Sequence, residues 1–391
     1  MKELKFYFNL SIKAMPYLRF YSGQIMHLIS KGKFKNAYNY FWTMAFSKED
    51  GAALLEWRYR KNPDNAPYPG RIEVEVTTTC PLRCLKCEHT FWKEEQKNMS
   101  YEQFLHIMRQ FPKLRAISCS GIGHGFNNPD FPKMLKYLKS KQIFTQFFDP
   151  FLIINEERAK LLVNLGVDKI WLSIDGSTKN TYEKQQVGSN FEIVVENVKR
   201  VIRLKEEMNS RFPELAFHFI ITKRNVNEMP LLIDLIHDMT KEGKHILNLV
   251  QFTKLIPFKE NEFLKPSIPE SIIEDTVKRA KKYGNFRLSF CNIGEKQPIQ
   301  ECTAWTVPFI TVEGDYYPCC AFTEGNMRDG IRKFLFGNLL KQDFKEIWNS
   351  KEMKKFIWDI HNNKIPPVCV FRNCPMYECK PKLNKSEEQH G

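Results

Sequence analysis

Short apolar segments and amphipathic segments alternate along the middle of this chain. Each apolar segment is short enough for a buried strand, and a stretch with helical spacing of apolar residues follows it. Strands separated by helices pair in parallel, so the pattern predicts an α/β fold with a partial (β/α)6 TIM-type barrel and functional loops at the strands' carboxyl ends. The six predicted strands are Ile72–Val76, Ala116–Cys119, Phe144–Phe148, Lys169–Ile174, Ala216–Ile221 and Ile246–Phe252.

Three of the intervening helices begin with recognisable capping residues. Ser100 followed by Gln103, and Asn225 followed by Glu228, have the form of a capping box, in which two side chains satisfy each other's backbone amides. A third helix is predicted to begin after Asn155 and to end at Gly166.

The segment before the barrel is predicted to be helical and amphipathic. Its apolar residues recur at helical spacing among lysines and arginines, in a first helix that ends at Gly32 and a second helix after it. Such a stripe packs on the barrel of the same chain or, in a basic and aromatic-rich helix, lies on a membrane surface, and both interpretations stay open. The residues concerned are Phe8, Ile12, Met15, Phe20, Ile25, Leu28, Phe34, Tyr38, Phe41, Trp42 and Phe46.

The last third of the chain has a different pattern. A charged connection carries one helix and the strand Phe286–Phe290, and a predicted hairpin then turns at Gly314. The predicted organisation is a helical N-terminal extension (1–62), the barrel (71–258), the connection (259–300), a small α+β domain (301–382) and a polar tail (383–391).

Composition and charge indicate the redox environment and the kinds of partner to expect. The chain has 391 residues, eleven cysteines and a net charge of +14. An odd number of cysteines without a signal sequence predicts a reducing, cytoplasmic environment. The positive charge suits an acidic electron donor of the flavodoxin or ferredoxin type, whereas no nucleic-acid partner is expected, because no nucleic-acid-binding motif is present. Nothing in the pattern indicates an oligomeric state.

The strongest chemical signal directly follows the first predicted strand. Cys80, Cys84 and Cys87 have C-x3-C-x2-C spacing, and thiolates favour iron–sulfur clusters or zinc. A closed zinc site needs four ligands, and the local candidate for the fourth, His89, is badly placed to turn back. Three thiolates suffice for a four-iron cluster that leaves one iron open.

This motif resembles that of the radical S-adenosylmethionine enzymes. The resemblance implies a [4Fe-4S] cluster on Cys80, Cys84 and Cys87, S-adenosylmethionine on the fourth iron, and a 5′-deoxyadenosyl radical that takes a hydrogen atom from the substrate. Lys86 departs from the family, in which this position is often aromatic and packs against adenine. The resemblance extends over about residues 71–380.

Two later segments match the cofactor-binding motifs of the same family. Gly121, Gly123 and His124 follow the second strand, where many members have Gly-x-Gly-Glu-Pro, so His124 replaces the usual glutamate. His124 then contacts the methionine ammonium group or faces the substrate, and both roles stay open. Ser173 and Asp175 end the fourth strand, where the resemblance implies contacts with the ribose or the carboxylate of S-adenosylmethionine.

The C-terminal third resembles the SPASM and twitch domains of such enzymes, which bind auxiliary iron–sulfur clusters. Six late cysteines are too few for two clusters, so we expect one auxiliary [4Fe-4S] cluster that cysteines close fully. Two further cysteines, Cys119 and Cys291, are expected to be small buried hydrophobic residues. The expected ligands are Cys302, Cys319, Cys369 and Cys374, with Cys320 and Cys379 as alternatives.

The resemblance implies a reaction class more firmly than a substrate. A closed auxiliary cluster would accept an electron, so we expect an oxidation or a cross-link rather than a rearrangement. Peptide modification is the first hypothesis, and a small molecule, sugar or lipid-linked substrate is the second. An iron–sulfur electron-transfer or binding protein is the non-enzymatic alternative.

Overall fold

The computed structural model describes residues 17–45, 52–62, 67–320, 328–372 and 374–379. In these residues the strands form one sheet, in the order β10-β9-β8-β1-β2-β3-β4-β5-β6-β7. Strands β1 to β7 run parallel to one another. In chain order from β1 to β10, the strands are Arg71–Val74, Ala116–Cys119, Phe144–Asp149, Lys169–Ser173, Glu214–Ile221, Asn248–Lys254, Phe286–Cys291, Phe309–Ile310, Asp315–Tyr317 and Gly337–Asn338.

The parallel sheet of the predicted barrel is confirmed, and it continues at both edges. Strand β7, which the sequence places in the connection, pairs with β6 and adds a seventh parallel strand. At the other edge β8 pairs in parallel with β1, and β9 pairs with β8 in the predicted hairpin. The C-terminal domain therefore extends the barrel sheet instead of standing apart from it.

The two faces of this sheet have different environments. On β4, Ile170 and Leu172 are fully buried, whereas Trp171 and Ser173 are partly exposed. His218, which is paired with Ser173 on β5, is also partly exposed. Residues that alternate along a strand point to opposite faces. One face therefore packs against the helices, and the other faces the barrel interior.

Helices cover the outer face, and the capping residues predicted for two of them are confirmed. Ser100 forms its capping box with Gln103, and Asn155 accepts the amide of Arg158 at the start of a helix that Gly166 ends with φ +63°. In chain order from α1 to α14, the helices of the described residues are Leu18–Ser30, Phe34–Ala45, Ala52–Lys61, Tyr101–Arg109, Phe131–Ser140, Glu156–Leu165, Lys179–Gln185, Phe191–Glu207, Met229–Thr240, Glu270–Tyr283, Arg328–Arg332, Phe344–Trp348, Lys351–His361 and Pro367–Arg372.

The capping box predicted at Asn225 is wrong. Helix α9 begins at Met229, and the Asn225 side chain instead donates to the carbonyl oxygen of Asp175 at 3.0 Å. The Glu228 carboxylate accepts hydrogen bonds from Ser177 and from neighbouring threonines. Both side chains thus bind the loop after β4, because tertiary partners there satisfy them in place of the helix start.

Helices α1 and α2 dock under the amino-terminal ends of the strands through buried polar contacts. The Tyr40 hydroxyl and the Gln24 amide both donate to the Glu214 carboxylate, which begins β5. Asn36 donates to Asp168, just before β4, at 2.9 Å. The two helices therefore close this end of the barrel with hydrogen bonds.

Only part of the aromatic stripe predicted for α2 reaches the barrel: Trp42 is partly buried, with the Arg115 guanidinium 5.7 Å from its ring centroid. Leu28 of α1 is buried as expected, but Phe34 is 67% and Tyr38 55% exposed. No helix of the described residues is both long and apolar enough to cross a membrane. Four residues of the predicted stripes lie outside the described residues, namely Phe8, Ile12, Met15 and Phe46.

Candidate functional site

The cysteine loop follows β1 and crosses the carboxyl end of the sheet. Cys80 and Cys84 are buried, with Leu82 and Leu152 packed around them. Burial raises the pKa of Cys80 to about 12 and the pKa values of Cys84 and Cys87 to about 11. Buried thiols of this kind stay protonated unless a metal centre stabilises the thiolates. Burial also raises the pKa of the core residue Cys119 to about 12, so the pKa values do not distinguish these thiols. Three soft sulfur donors in one loop are what fits a resident iron–sulfur cluster.

A tight turn lies within the cysteine loop. The Cys87 amide donates to the Cys84 carbonyl oxygen at 3.0 Å, so the two residues flank one turn. Within the described ranges, no three cysteine, histidine or acidic side chains converge closely enough to hold a single metal ion. The cysteine spacing, and not a preformed metal site, therefore indicates the iron–sulfur cluster.

The glycine loop after β2 packs against the cysteine loop. A side chain at Gly121 would meet the Glu75 side chain at 2.4 Å, and one at Gly123 would meet the backbone oxygen of Thr77 at 2.5 Å. The fully buried Glu75 carboxylate accepts the amide of Ile122 at 3.2 Å. Both glycines are therefore required for contact between loops, whereas the sequence indicated only contact with a ligand.

His124 lies on the side of this loop that faces Cys80 of the cysteine loop. Its amide donates to Thr79 at 3.2 Å, and its ring nitrogen Nδ1 is 3.7 Å from the sulfur of Cys80. Burial, with His89 and Lys86 nearby, lowers the pKa of His124 to about 4. The imidazole is thus neutral at physiological pH and able to accept a hydrogen bond.

Lys86 and Asp175 form a buried ion pair between the cysteine loop and the end of β4. Asp175 also accepts the Ile220 amide through Oδ1 at 2.7 Å. In the described residues, the Ser173 hydroxyl has no hydrogen-bond partner, and this side chain is partly exposed on the inner face. Of the two residues expected at the ribose, Ser173 is therefore accessible, whereas Asp175 is occupied by Lys86.

The barrel interior next to this site holds residues that the sequence did not single out. Phe148 and Trp171 stack with ring centroids 5.7 Å apart, and His218 meets Phe148 edge to face. Nε2 of His218 lies 2.9 Å from the Thr253 hydroxyl, and burial lowers the pKa of His218 to about 4. Alternation along β4 to β6 signals an inner face, but a single sequence does not show which residues meet there.

Three of the six C-terminal cysteines lie together. The thiol of Cys379 is within hydrogen-bonding distance of Cys369 and of Cys374. The Cys320 thiol instead lies beside the Glu73 carboxylate, on the β1 strand of the barrel. Cys379, which the sequence left as an alternative, is therefore in this group, whereas Cys320 contacts Glu73.

The remaining cysteines occupy different surroundings. Cys302 and Cys319 are buried in the core that Cys369 also contacts. Cys119 is buried as expected. Cys291 is only partly buried, and its sulfur lies 3.8 Å from the Ser289 hydroxyl, so its prediction as a buried hydrophobic residue is wrong. All eleven cysteines lie in the described ranges, and none forms a disulfide there.

Two protein-family models match the chain. The model of the radical SAM superfamily matches residues 74–236, which include the first three cysteines. The model of SPASM, an iron–sulfur cluster-binding domain, matches residues 302–375. The two matches cover the cysteine loop and most of the C-terminal thiols.

The individual relatives and solved structures have low sequence identity to this chain. A tungsten-containing aldehyde ferredoxin oxidoreductase cofactor-modifying protein of Pyrococcus furiosus is 23% identical over 312 residues, covering 76% of this chain and 86% of that protein. A PqqA peptide cyclase of Granulibacter bethesdensis is 23% identical over 266 residues, covering 65% and 68%. The structure of Streptococcus suis SuiB bound to its precursor peptide SuiA has a TM-score of 0.63 at 14% identity, covering 86% of this chain and 80% of SuiB. That likeness shows a shared fold.

Proposed function

Because the chain is a radical S-adenosylmethionine enzyme with an iron–sulfur cluster-binding SPASM domain, we propose that it oxidises a peptide, by dehydrogenation or by a cross-link. When bound, the first [4Fe-4S] cluster and S-adenosylmethionine supply the reductive cleavage and the removal of a hydrogen atom from the substrate. The chain's own residues bind the cofactors, orient the substrate and exclude water.

Cofactor binding is assigned to the carboxyl end of the sheet. Cys80, Cys84 and Cys87 hold the first cluster. The loop of Gly121, Gly123 and His124 binds the methionine moiety, with the neutral imidazole as an acceptor for the ammonium group, and Ser173 offers its hydroxyl to the ribose. Support comes from the placement of His124 beside Cys80 and from the partly exposed hydroxyl of Ser173.

The substrate is assigned to the barrel interior below this site. Phe148 and Trp171 offer aromatic surfaces there, and His218 and Thr253 offer polar atoms. A site of this kind fixes a side chain by packing and by a few hydrogen bonds, and it excludes water from a reactive intermediate.

The observation that carries the proposed oxidation is the pairing of β8 with β1. Strand β1 leads into the cysteine loop, and β8 belongs to the C-terminal domain that holds the six late cysteines. Beside this pairing Cys320, which lies outside the group of Cys369, Cys374 and Cys379, contacts Glu73 of β1. An auxiliary [4Fe-4S] cluster in this domain would accept the electron removed from a substrate in the barrel interior.

Two of the similar proteins support a peptide as the substrate. The Granulibacter bethesdensis relative is a PqqA peptide cyclase, and SuiB binds a precursor peptide. The Pyrococcus furiosus relative is instead a cofactor-modifying protein, so a small-molecule, sugar or lipid-linked substrate remains the alternative.

Mass spectrometry of candidate peptides tests the substrate. The reconstituted protein is incubated with S-adenosylmethionine, dithionite and the short peptides encoded beside its gene. We expect one peptide to become lighter by a pair of hydrogen atoms, with 5′-deoxyadenosine formed in equal amount. Unchanged peptides, together with deoxyadenosine formation that a sugar, alcohol or lipid fraction accelerates, would overturn the peptide in favour of the alternative.

A further inference from the structure

The Lys86–Asp175 pair lies within the cluster site. Lys86 lies in the cysteine loop, between Cys84 and Cys87, and only 8% of its side chain is exposed. The Asp175 side chain is 1% exposed. Two charges are thus held out of water at the place where the loop meets the end of β4. Such burial is costly unless the charges pair with each other and gain further hydrogen bonds.

Surrounding hydrogen bonds hold both partners in place. Asp175 accepts the Ile220 amide through Oδ1 at 2.7 Å, and its carbonyl oxygen accepts from Asn225 at 3.0 Å. The Lys86 carbonyl oxygen accepts from Asn261 at 3.3 Å. Asp175 is therefore fixed to the end of β5 and the loop after it, and the Lys86 backbone is fixed to the segment of Asn261, so both partners are held where the ion pair forms.

A fixed ammonium group in this loop has an electrostatic effect on a cluster held by the neighbouring cysteines. Reduction adds a negative charge to the cluster, and a buried positive charge nearby stabilises that charge more strongly than it would in water. Hydrogen bonding, burial and net charge are the means by which a protein sets the potential of such a centre. Asp175 weakens the effect of Lys86 but also keeps it in place.

We propose that Lys86 is a positioning residue whose charge raises the reduction potential of the first cluster, with Asp175 as the group that holds it. This inference rests on the assignment of that cluster to Cys80, Cys84 and Cys87. An aromatic residue at position 86 would carry no charge. This chain therefore makes its first cluster easier to reduce than an aromatic residue there would.

The reduction potential of the reconstituted full-length protein tests the inference. It is measured by a spectroscopic redox titration without substrate, following the cluster signal that S-adenosylmethionine perturbs. In Lys86→Met the ratio of reduced to oxidised cluster at a fixed potential should fall about tenfold, which is a shift of ~59 mV for one electron. Lys86→Arg, which keeps the charge, should stay near the parent value.

A matched control separates charge from damage to the fold. Lys139 forms an equally buried ion pair with Asp168 at the other end of the barrel, with side chains 4% and 0% exposed. Lys139→Met should leave the potential unchanged. If Lys86→Met does not fold, the double variant Lys86→Met/Asp175→Asn, which leaves no unpaired charge, replaces it and should also show a lower potential.

Two results would overturn the inference alone. One is an unchanged potential in Lys86→Met or the double variant, and the other is a shift in Lys86→Arg or in Lys139→Met as large as that in Lys86→Met. A parent protein that binds no cluster at the cysteine loop would overturn the proposed function as well.

Discussion

Replacing Cys84 with alanine is expected to abolish the formation of 5′-deoxyadenosine. Cys84 is buried in the loop and turns toward Cys87, and its loss leaves two thiols for the first cluster. Losing a residue that merely orients a metal ligand lowers metal affinity or activity by about 10- to 100-fold. Loss of a ligand itself should therefore cost more than about 100-fold in deoxyadenosine formed per chain, measured by chromatography.

Cys119→Ala is the matched control for this variant. Cys119 is also a buried cysteine, but it lies in the hydrophobic core of β2. Its replacement should destabilise the fold by about 1 kcal/mol, as core truncations commonly do, and leave cofactor cleavage near the parent level. If Cys84→Ala cleaves the cofactor as fast as Cys119→Ala does, Cys84 is not a ligand.

Replacing Cys379 with alanine is expected to halve the iron content. A reconstituted parent protein should hold about eight irons per chain, four in each of two clusters. Cys379 lies in contact with Cys369 and Cys374, so its loss should disrupt the auxiliary cluster and leave about four irons. Iron is measured per folded chain after anaerobic reconstitution, and the first cluster should still support deoxyadenosine formation.

The control for Cys379 is Cys320→Ala. Cys320 contacts Glu73 instead of the group around Cys379, so its replacement should leave about eight irons. The reverse outcome, with iron lost from Cys320→Ala and retained in Cys379→Ala, would exchange the two residues in the ligand set. A parent protein that saturates near four irons would remove the auxiliary cluster altogether.

Local signals predicted the parts of this molecule that depend on neighbours in sequence. Asn155 caps its helix and Gly166 ends it in the left-handed conformation, because both effects arise within one or two turns. The spacing of Cys80, Cys84 and Cys87 likewise predicted a metal loop. The structure buries Cys80 and Cys84 after the first barrel strand and leaves Cys87 partly buried beside them.

Partners far apart in sequence account for the features that prediction missed. The sequence identified the strand Phe286–Cys291 but not its pairing with β6. Asn225 and Glu228 matched a capping pattern, yet both side chains form hydrogen bonds with the loop after β4. The helix α2 shows the same limit, since Tyr40 meets Glu214 through a hydrogen bond that no periodicity indicates.

The candidate site also has parts that short motifs predict and parts that depend on contacts between distant segments. Motifs located the glycine loop, Ser173 and Asp175 from short segments. The pairing of Asp175 with Lys86 depends on how two loops meet above the sheet. The choice between Cys320 and Cys379 depends on where the chain runs after α14, and the six late cysteines share no spacing that decides it.

The most direct test of radical S-adenosylmethionine chemistry in this chain is the release of 5′-deoxyadenosine by the parent protein. Reconstituted protein is reduced with dithionite in the presence of S-adenosylmethionine, and deoxyadenosine and methionine are quantified over time. We expect both products to form in equal amounts and only when the reductant is present. Protein that holds about four irons or more per chain yet forms no deoxyadenosine under these conditions would contradict this expectation.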